Sequence, residues 1–376
     1  MKALFISNDP SIFDATSVAR ARMRTYAAHM EELHIISCAD AQAKELQEEH
    51  LFLHPVHTSK LFRIRALTRS ARTIITKYGI EVVSAQDPFE HGLAALQAVH
   101  GTKTRLHVQV HTDFLSPWFL RSSNWYNVRA TFLNRYRRRI ADRVLPQAAG
   151  IRAVSQRIKI SLDSHYGSRI AYVSVIPIAT PTDVPSPVKL PAHTFNFSLM
   201  AISRLEPEKR IEDILLALKL VVPRYKMVGL FVVGGGHERA RLESLARSLD
   251  LEKQVVFLGE RADAWGLLQS AQTFIQASAY EGYGRTFIEA ALARVPIITT
   301  DVGIIGEVFR DHEEALVSPV ANPKALALNI MSLIEDTRMR QELSMHAEAA
   351  AHTHLAGIGD LPNLIRDDLA RTLPRL

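Results

Sequence analysis

Residues 273–301 read TFIQASAYEGYGRTFIEAALARVPIITTD. A strand-like run, TFIQAS, leads into a turn carrying Gly282 and Gly284. An apolar, alanine-rich run follows, with the spacing of a short helix. Pro296 stops that helix, and IITTD reads as a second strand. Two strands joined through a helix are the unit of a parallel sheet. Two carboxylates, Glu281 and Glu289, bracket the turn where the first strand gives way to the helix.

The same alternation extends outward. Upstream of residue 177, ALFIS (3–7), LHIIS (33–37), VVSAQ (82–86), LHVQVH (106–111) and GIRAVS (150–155) read as strands, with helices predicted over 15–30 and 60–79. Five prolines then fall within 177–191, which excludes a helix and marks a linker. Beyond it, FSLMAIS (197–203), VGLFVVGGG (228–236), VVFLG (255–259) and EALVSP (314–319) are strands between helical stretches at 210–222 and 237–249. A helical segment after Asn322-Pro323 is predicted to run to about His354. The expected fold class is α/β, with two doubly wound, Rossmann-like domains facing each other across a cleft. The expected boundaries are 1–180 for the first domain, 181–196 for the linker and 197–357 for the second, with a last helix (about 358–376) returning to the first.

Of 376 residues, 47% are hydrophobic and 22% charged, the balance of an ordinary soluble protein. One cysteine, Cys38, excludes an intrachain disulfide and fits a reducing compartment. The start, MKALFISNDP, reads as a first strand rather than a signal peptide. No run reaches the roughly 18–20 apolar residues that span a bilayer. Charge is uneven. Residues 1–190 hold 25 Lys and Arg against 15 Asp and Glu, a net of +10; the remainder is −4. Two domains with different partners are expected.

Four stretches of the second half end predicted strands: SRLEPEKR (203–210), GGGHER (234–239), LGERADAW (258–265) and the opening turn. Each has a plain structural explanation. Thr286 with Glu289 three residues on fits a capping box. The glycines suit tight turns. GGGHER lacks the spacing of a dinucleotide fingerprint. Arg204 and Lys209 are residue types usually found on surfaces. Together they fit a sharper purpose. A helix N-terminus preceded by glycine attracts anions, and an added arginine and lysine make a diphosphate site that needs no metal. Carboxylates beside it accept hydrogen bonds from the vicinal hydroxyls of a sugar and a ribose.

These motifs, in this order over about 197–345, resemble the GT-B-fold retaining glycosyltransferases of family four. SRLEPEKRIEDILLAL, FVVGGGHERARLE, VVFLGERAD and ASAYEGYGRTFIEAALARVPIITTDVGIIGEV carry the likeness. Glu281 and Glu289 match the family's pair of glutamates separated by seven residues. The resemblance implies that Arg204 and Lys209 neutralise a donor diphosphate, that Glu289 holds ribose hydroxyls and that Glu281 contacts the donor sugar. It places Gly235, Tyr283, Gly284, Arg285 and Thr286 around sugar and phosphates, and Glu260 and Arg261 near the base. His111, in LHVQVHTDFLSPW (106–118), matches a histidine that reaches the donor sugar in the closed cleft. The catalytic set is therefore His111, Arg204, Lys209 and Glu281. Asp9, Gln86, Asp87 and Asp113 form the candidate acceptor side. Two departures from the family bear on acceptor binding. The first loop, SNDPSIFDATS (7–17), lacks the usual glycine pair, and VIPIAT (175–180) replaces an Asn-Gly.

The implied function is retaining transfer of a hexosyl group from a nucleotide-diphosphate sugar to a hydroxyl of a glycan or lipid-linked acceptor, in cell-surface polysaccharide or glycolipid synthesis. A UDP-sugar ranks first as donor and GDP-mannose next. No Asp-x-Asp occurs, so neither a metal nor another cofactor is expected. The alternatives are a non-catalytic nucleotide-sugar-binding scaffold and another GT-B enzyme, such as an epimerase or a phosphorylase. Residues 121–143 hold seven arginines interleaved with Trp125, Tyr126, Phe132, Leu133, Tyr136 and Ile140. A helix with one face in the core explains part of that pattern. Attachment to an anionic membrane surface explains the rest, giving a cytoplasmic protein peripheral on the inner face of the plasma membrane. No nucleic-acid module is recognisable, so nucleic acid is not an expected partner.

Overall fold

The computed structural model describes residues 1–120 and 128–374. Trp125 and Tyr126 lie outside the described residues. The chain forms two compact α/β units, each discontinuous in sequence. One comprises Met1–Leu115, Arg129–Pro177 and Ile358–Leu376. The other comprises Ser116–Val128 and Ile178–Gly357. The terminal helix, Leu361–Ala370, thus belongs to the first unit, and residues 116–120 belong to the second.

The first unit is built on an eight-stranded sheet. Its strands are β1 (Lys2–Ser7), β2 (Glu32–Cys38), β3 (Leu46–Glu48), β4 (Leu51–Val56), β5 (Val82–Ala85), β6 (Arg105–Val110), β7 (Gly150–Ala153) and β8 (Val173–Val175). They lie in the order β3-β4-β2-β1-β5-β6-β7-β8, parallel except for the β3–β4 pair. Central strands such as β1 are buried along almost their whole length, as expected of a sheet covered on both faces. The hairpin from β3 to β4 is an addition to the sequence expectation. Pro55 in β4 masks it, because proline cannot donate to a ladder. The structure tolerates Pro55 because β3 covers only Leu51–Leu53, so that side of β4 is open at Pro55.

The second unit has a fully parallel sheet of β9 (Phe197–Ile202), β10 (Val228–Val233), β11 (Val255–Gly259), β12 (Thr273–Ile275), β13 (Ile297–Thr300) and β14 (Ala315–Ser318). Their order is β11-β10-β9-β12-β13-β14. The helix Ile211–Val221 buries Ile214, Leu215, Ala217 and Leu218 with Leu199, Leu230 and Val232 of this sheet in one core. The segment expected to be one helix to about His354 is two, Pro323–Glu335 and Thr337–Ile358. Asp336 between them is extended, with φ −111° and ψ 95°, which breaks the hydrogen-bond ladder.

Each sheet has one place where strand order reverses. In the first unit it lies between β1 and β5, in the second between β9 and β12. In open α/β sheets the loops leaving such strands diverge, and ligands bind at their carboxyl ends.

Candidate functional site

In the second unit, the loops after β9 and β12 meet at the switch point. The first turns through the short 3₁₀ helix Pro207–Lys209 and ends at Arg210, a non-glycine residue with φ +49°. That left-handed conformation is uncommon for a residue with a side chain. The Arg210 guanidinium clamps Asp213 at 2.6 and 3.0 Å. The turn carries Lys209 to Glu281, with Nζ donating to Oε1 at 2.5 Å. Both side chains are only 13% exposed. The backbone secures the approach, since the Ala279 amide donates to the Glu208 carbonyl at 2.7 Å.

Glu281 is held by more than its lysine. Gln276 Nε2 donates to Oε1 at 2.7 Å and Ser278 Oγ at 2.8 Å. Gln276 accepts in turn from Thr286 Oγ1 at 3.0 Å. Gln276 and Ser278 are buried and escaped the sequence reading, because a polar residue at a strand end resembles an ordinary sheet position. The only available signal was polarity inside the otherwise apolar run TFIQAS.

The helix Arg285–Leu292 begins after Gly284, which has φ +88°, and no side chain caps it. The capping-box alternative therefore fails. Thr286 lies within the helix, and its hydroxyl serves Gln276. Glu289 sits on the second turn, nearly buried, with Arg285 Nε at 2.9 Å from its carboxylate. Burial raises its carboxyl above the ordinary range, against the opposing pull of Arg285. The uncapped N-terminus leaves backbone donors and the positive end of the helix dipole beside Lys209 and Glu281.

The remaining residues of this unit differ in what they are free to do. Gly234 allows the loop after β10 to touch the loop after β9; a Cβ there would stand 1.9 Å from the Ser203 carbonyl oxygen. Gly235 lies against Glu260, whose carboxylate would be 2.7 Å from an added Cβ. Leu205 donates its amide to the Gly235 carbonyl at 2.7 Å. Arg204 is exposed, with Glu208 at 3.2 Å. Arg261 is bound by Asp263 through two contacts, 2.7 and 2.6 Å. The Tyr283 side chain is buried and its hydroxyl meets His354 Nε2 at 2.8 Å. That ring anchors the turn to the helix Thr337–Ile358.

In the first unit, Asp9, Gln86, Asp87, His111 and Asp113 share the carboxyl rim of the adjacent strands β1, β5 and β6. Gln86 Oε1 accepts from Ser7 Oγ at 2.9 Å, bridging the β1/β5 switch point. Asp9 accepts from Ser11 N at 3.0 Å and caps the 3₁₀ helix Pro10–Phe13. Asp87 receives His91 Nδ1 and the Phe89 amide. Asp113 is buried. His111 is half-buried and meets Gln109 Oε1 through Nε2 at 3.0 Å. Burial and the Arg152 guanidinium push its imidazole down to about 3, so it is neutral across the physiological range.

Helix Val128–Val144 buries Ile140 and exposes Phe132 and Tyr136. Arg137 is committed to Glu90 at 3.0 Å. Among the described residues no helix is long and apolar enough to cross a membrane, and no three His, Cys, Asp or Glu side chains are grouped to hold a metal ion.

Two solved structures share this architecture across nearly the whole chain. Sucrose-phosphate synthase from Thermosynechococcus elongatus aligns over 98% of this chain and 99% of that one, with a TM-score of 0.81 at 18% identity. HepE from Anabaena, solved with UDP-glucose, aligns over 98% and 100%, with a TM-score of 0.73 at 21% identity. Among sequence relatives, N-acetyl-alpha-D-glucosaminyl L-malate synthase of Bacillus anthracis is 27% identical over 41% of this chain and 40% of its own length. The lipopolysaccharide core biosynthesis glycosyltransferase LpsD of Rhizobium meliloti is 28% identical over 43% and 46%. The chain thus spans less than half the length of these two relatives. The model of glycosyltransferase family 4 matches residues 18–184, and that of glycosyl transferases group 1 matches residues 189–350. With both halves matched in order on two Rossmann-like units, the chain belongs to the GT-B glycosyltransferases of family four.

Proposed function

We propose that this protein is a retaining glycosyltransferase that binds a nucleotide-diphosphate sugar on its second unit and transfers the sugar to a hydroxyl of a glycan or lipid-linked acceptor. The observation that carries this reading is the Lys209–Glu281 pair beside the uncapped helix N-terminus at Gly284. Cationic countercharge and aimed amides suit a diphosphate leaving group, whose charge grows as the glycosidic bond breaks. Arg204, exposed and paired with Glu208, adds a second cation. Glu281 is assigned to the sugar hydroxyls and Glu289 to the ribose. His111 is assigned to a substrate hydroxyl, and Asp9, Gln86, Asp87 and Asp113 to the acceptor. A UDP-sugar is favoured because HepE, of the same fold, was solved with UDP-glucose. GDP-mannose ranks next. The acceptor hydroxyl attacks on the face from which the diphosphate departs.

A panel of nucleotide sugars tested by thermal shift identifies the donor. A ligand at 100 times its Kd stabilises the fold by about 2.7 kcal/mol. No shift with any of them would remove the proposal. Binding without transfer to any acceptor would favour a nucleotide-sugar-binding scaffold instead.

Countercharge from Lys209, Arg204 and the helix N-terminus replaces a divalent cation. EDTA is therefore expected to leave transfer intact. A strict Mg²⁺ or Mn²⁺ requirement would sink this part of the mechanism.

We further propose that the first unit rests on an anionic bilayer, on the cytoplasmic side. Residues 51–170 carry 19 Lys and Arg against 6 Asp and Glu. On helix Val128–Val144, Phe132 is 64% exposed and Tyr136 51%. Arg135, Arg138 and Arg139 lie on the same helix, whereas Arg137 is held by Glu90. Each cation near such a surface contributes about 1 kcal/mol. Changing Arg135, Arg138 and Arg139 to Gln should weaken binding to phosphatidylserine vesicles at low salt and spare nucleotide binding. Equal vesicle binding by both proteins would clear this helix of the role.

A further inference from the structure

A chain of buried side chains runs inward from His111 through the core of the first unit. His111 Nε2 meets Gln109 Oε1 at 3.0 Å. The same oxygen accepts from Arg152 Nη1 at 2.9 Å. Gln109 Nε2 donates to Ser84 Oγ at 3.0 Å. Ser84 Oγ meets His107 Nδ1 at 2.9 Å, and His107 Nε2 meets Asp368 Oδ2 at 3.0 Å. Gln109, Ser84, His107, Arg152 and Asp368 are all at least 96% buried. Asp368 belongs to the terminal helix Leu361–Ala370, 261 residues from His107 in sequence.

The two charged ends dictate which way every hydrogen points. A guanidinium only donates, and a carboxylate only accepts. Arg152 therefore turns the Gln109 carbonyl towards itself and the amide nitrogen towards Ser84. From the other end, Asp368 accepts from His107 Nε2, and in the neutral ring Nδ1 is then bare. The Ser84 hydroxyl then donates to that Nδ1 and accepts from Gln109. Both ends give the same answer, so Gln109 presents only an acceptor to His111. Arg152 is itself locked, donating to the Ile176 and Pro177 carbonyls as well.

We propose that this relay holds His111 as the Nε2–H tautomer with a bare Nδ1, so that His111 accepts a hydrogen bond from a substrate hydroxyl, and that Gln109, oriented by Arg152, is its positioning residue. The depressed imidazole of His111 is consistent, since the neutral ring carries one proton to place. Reversing the tautomer would need the Gln109 amide to flip, and its NH₂ would then face the Arg152 guanidinium, donor against donor. The proposed ligand contact rests on the glycosyltransferase reading; the tautomer itself does not.

Imidazole nitrogen-15 spectra of the histidine-labelled full chain test it directly, with the His111 signals assigned by their loss in His111→Gln. Nε2 of His111 is expected protonated and Nδ1 unprotonated at neutral pH, in a single form. Protonation at Nδ1, or averaging between the two tautomers, overturns the relay in the wild-type protein with no variant needed. In Gln109→Met a second tautomer should appear, and transfer should fall about tenfold or more with donor KM changed little. Asp368→Leu leaves Arg152 in place to orient Gln109, so His111 should keep a single tautomer there. Unchanged His111 signals in Gln109→Met would overturn the positioning role. Binding of UDP-sugars is measured separately, so its failure would count against the proposed function while the spectrum still decides the relay.

Discussion

Lys209→Met is expected to lower sugar transfer by about 10²–10³-fold while the protein stays folded. Methionine keeps the apolar stem that packs in the turn and removes only the charge. In the wild type the ammonium meets the Glu281 carboxylate at 2.5 Å with both groups largely shielded from water. Shielding makes the charge count for more as a diphosphate leaves than it would in bulk solvent. Breaking a buried pair usually destabilises strongly, because the surviving charge is orphaned. Here Gln276 and Ser278 still donate to Glu281. The cost to stability should therefore stay at about 1.5–3 kcal/mol, the range for one charged hydrogen bond. Lys209→Arg should recover little, because a planar fork does not reproduce a compact ammonium in a tight turn. Turnover and melting temperature are the first measurements, and free UDP affinity is the third. Weaker UDP binding means that Lys209 meets the diphosphate. Unchanged UDP binding with lost transfer would mean that Lys209 acts by placing Glu281. Turnover within about twofold of wild type would exclude both.

Glu289→Ala and Glu281→Ala should separate by ligand. Loss of a charge-assisted hydrogen bond costs about 1.5–3 kcal/mol, roughly 10- to 150-fold in affinity. At Glu289 that loss should appear for the free nucleoside diphosphate and for the donor alike, because both contain the ribose. At Glu281 it should appear for the donor only. Calorimetry with both ligands reads the difference. Helix capping does not explain a Glu289 phenotype, since the helix starts at Arg285 and Glu289 lies beyond its first turn. Acidification provides an independent check. Burial raises the Glu289 carboxyl above its ordinary value. A proton then competes with the ribose hydroxyls at a pH where exposed glutamates are still ionised, so nucleotide affinity should begin to fall above the ordinary glutamate range. Flat affinity from neutral to mildly acidic pH, or identical ligand profiles for the two variants, would refute the assigned roles.

The alternation of strands and helices and the restart after the prolines were legible because they are local. A parallel strand buried on both faces must be apolar throughout, as in VGLFVV, and a helix between two such strands must turn one face inward. The glutamate pair and the basic turn were legible for the same reason, since a glycine-bearing turn and its neighbouring charges lie within a few residues. The hairpin at β3 and β4 was not, because Pro55 contradicts a strand until the open side of β4 is seen.

Sequence by itself determined the two α/β units, the strand ends that carry the candidate residues, and the family to which those motifs belong. Tertiary structure alone decided what each side chain is free to do. It joined Lys209 to Glu281 across 72 residues, buried Tyr283 against His354, occupied Arg137 with Glu90, and took Glu289 out of any capping role. It also brought Asp368 beneath His107 and aligned every donor up to His111. The physical reason is range. Backbone conformation answers to neighbours a few residues away, whereas hydrogen-bond partners and burial are set by whichever strands the sheet places side by side.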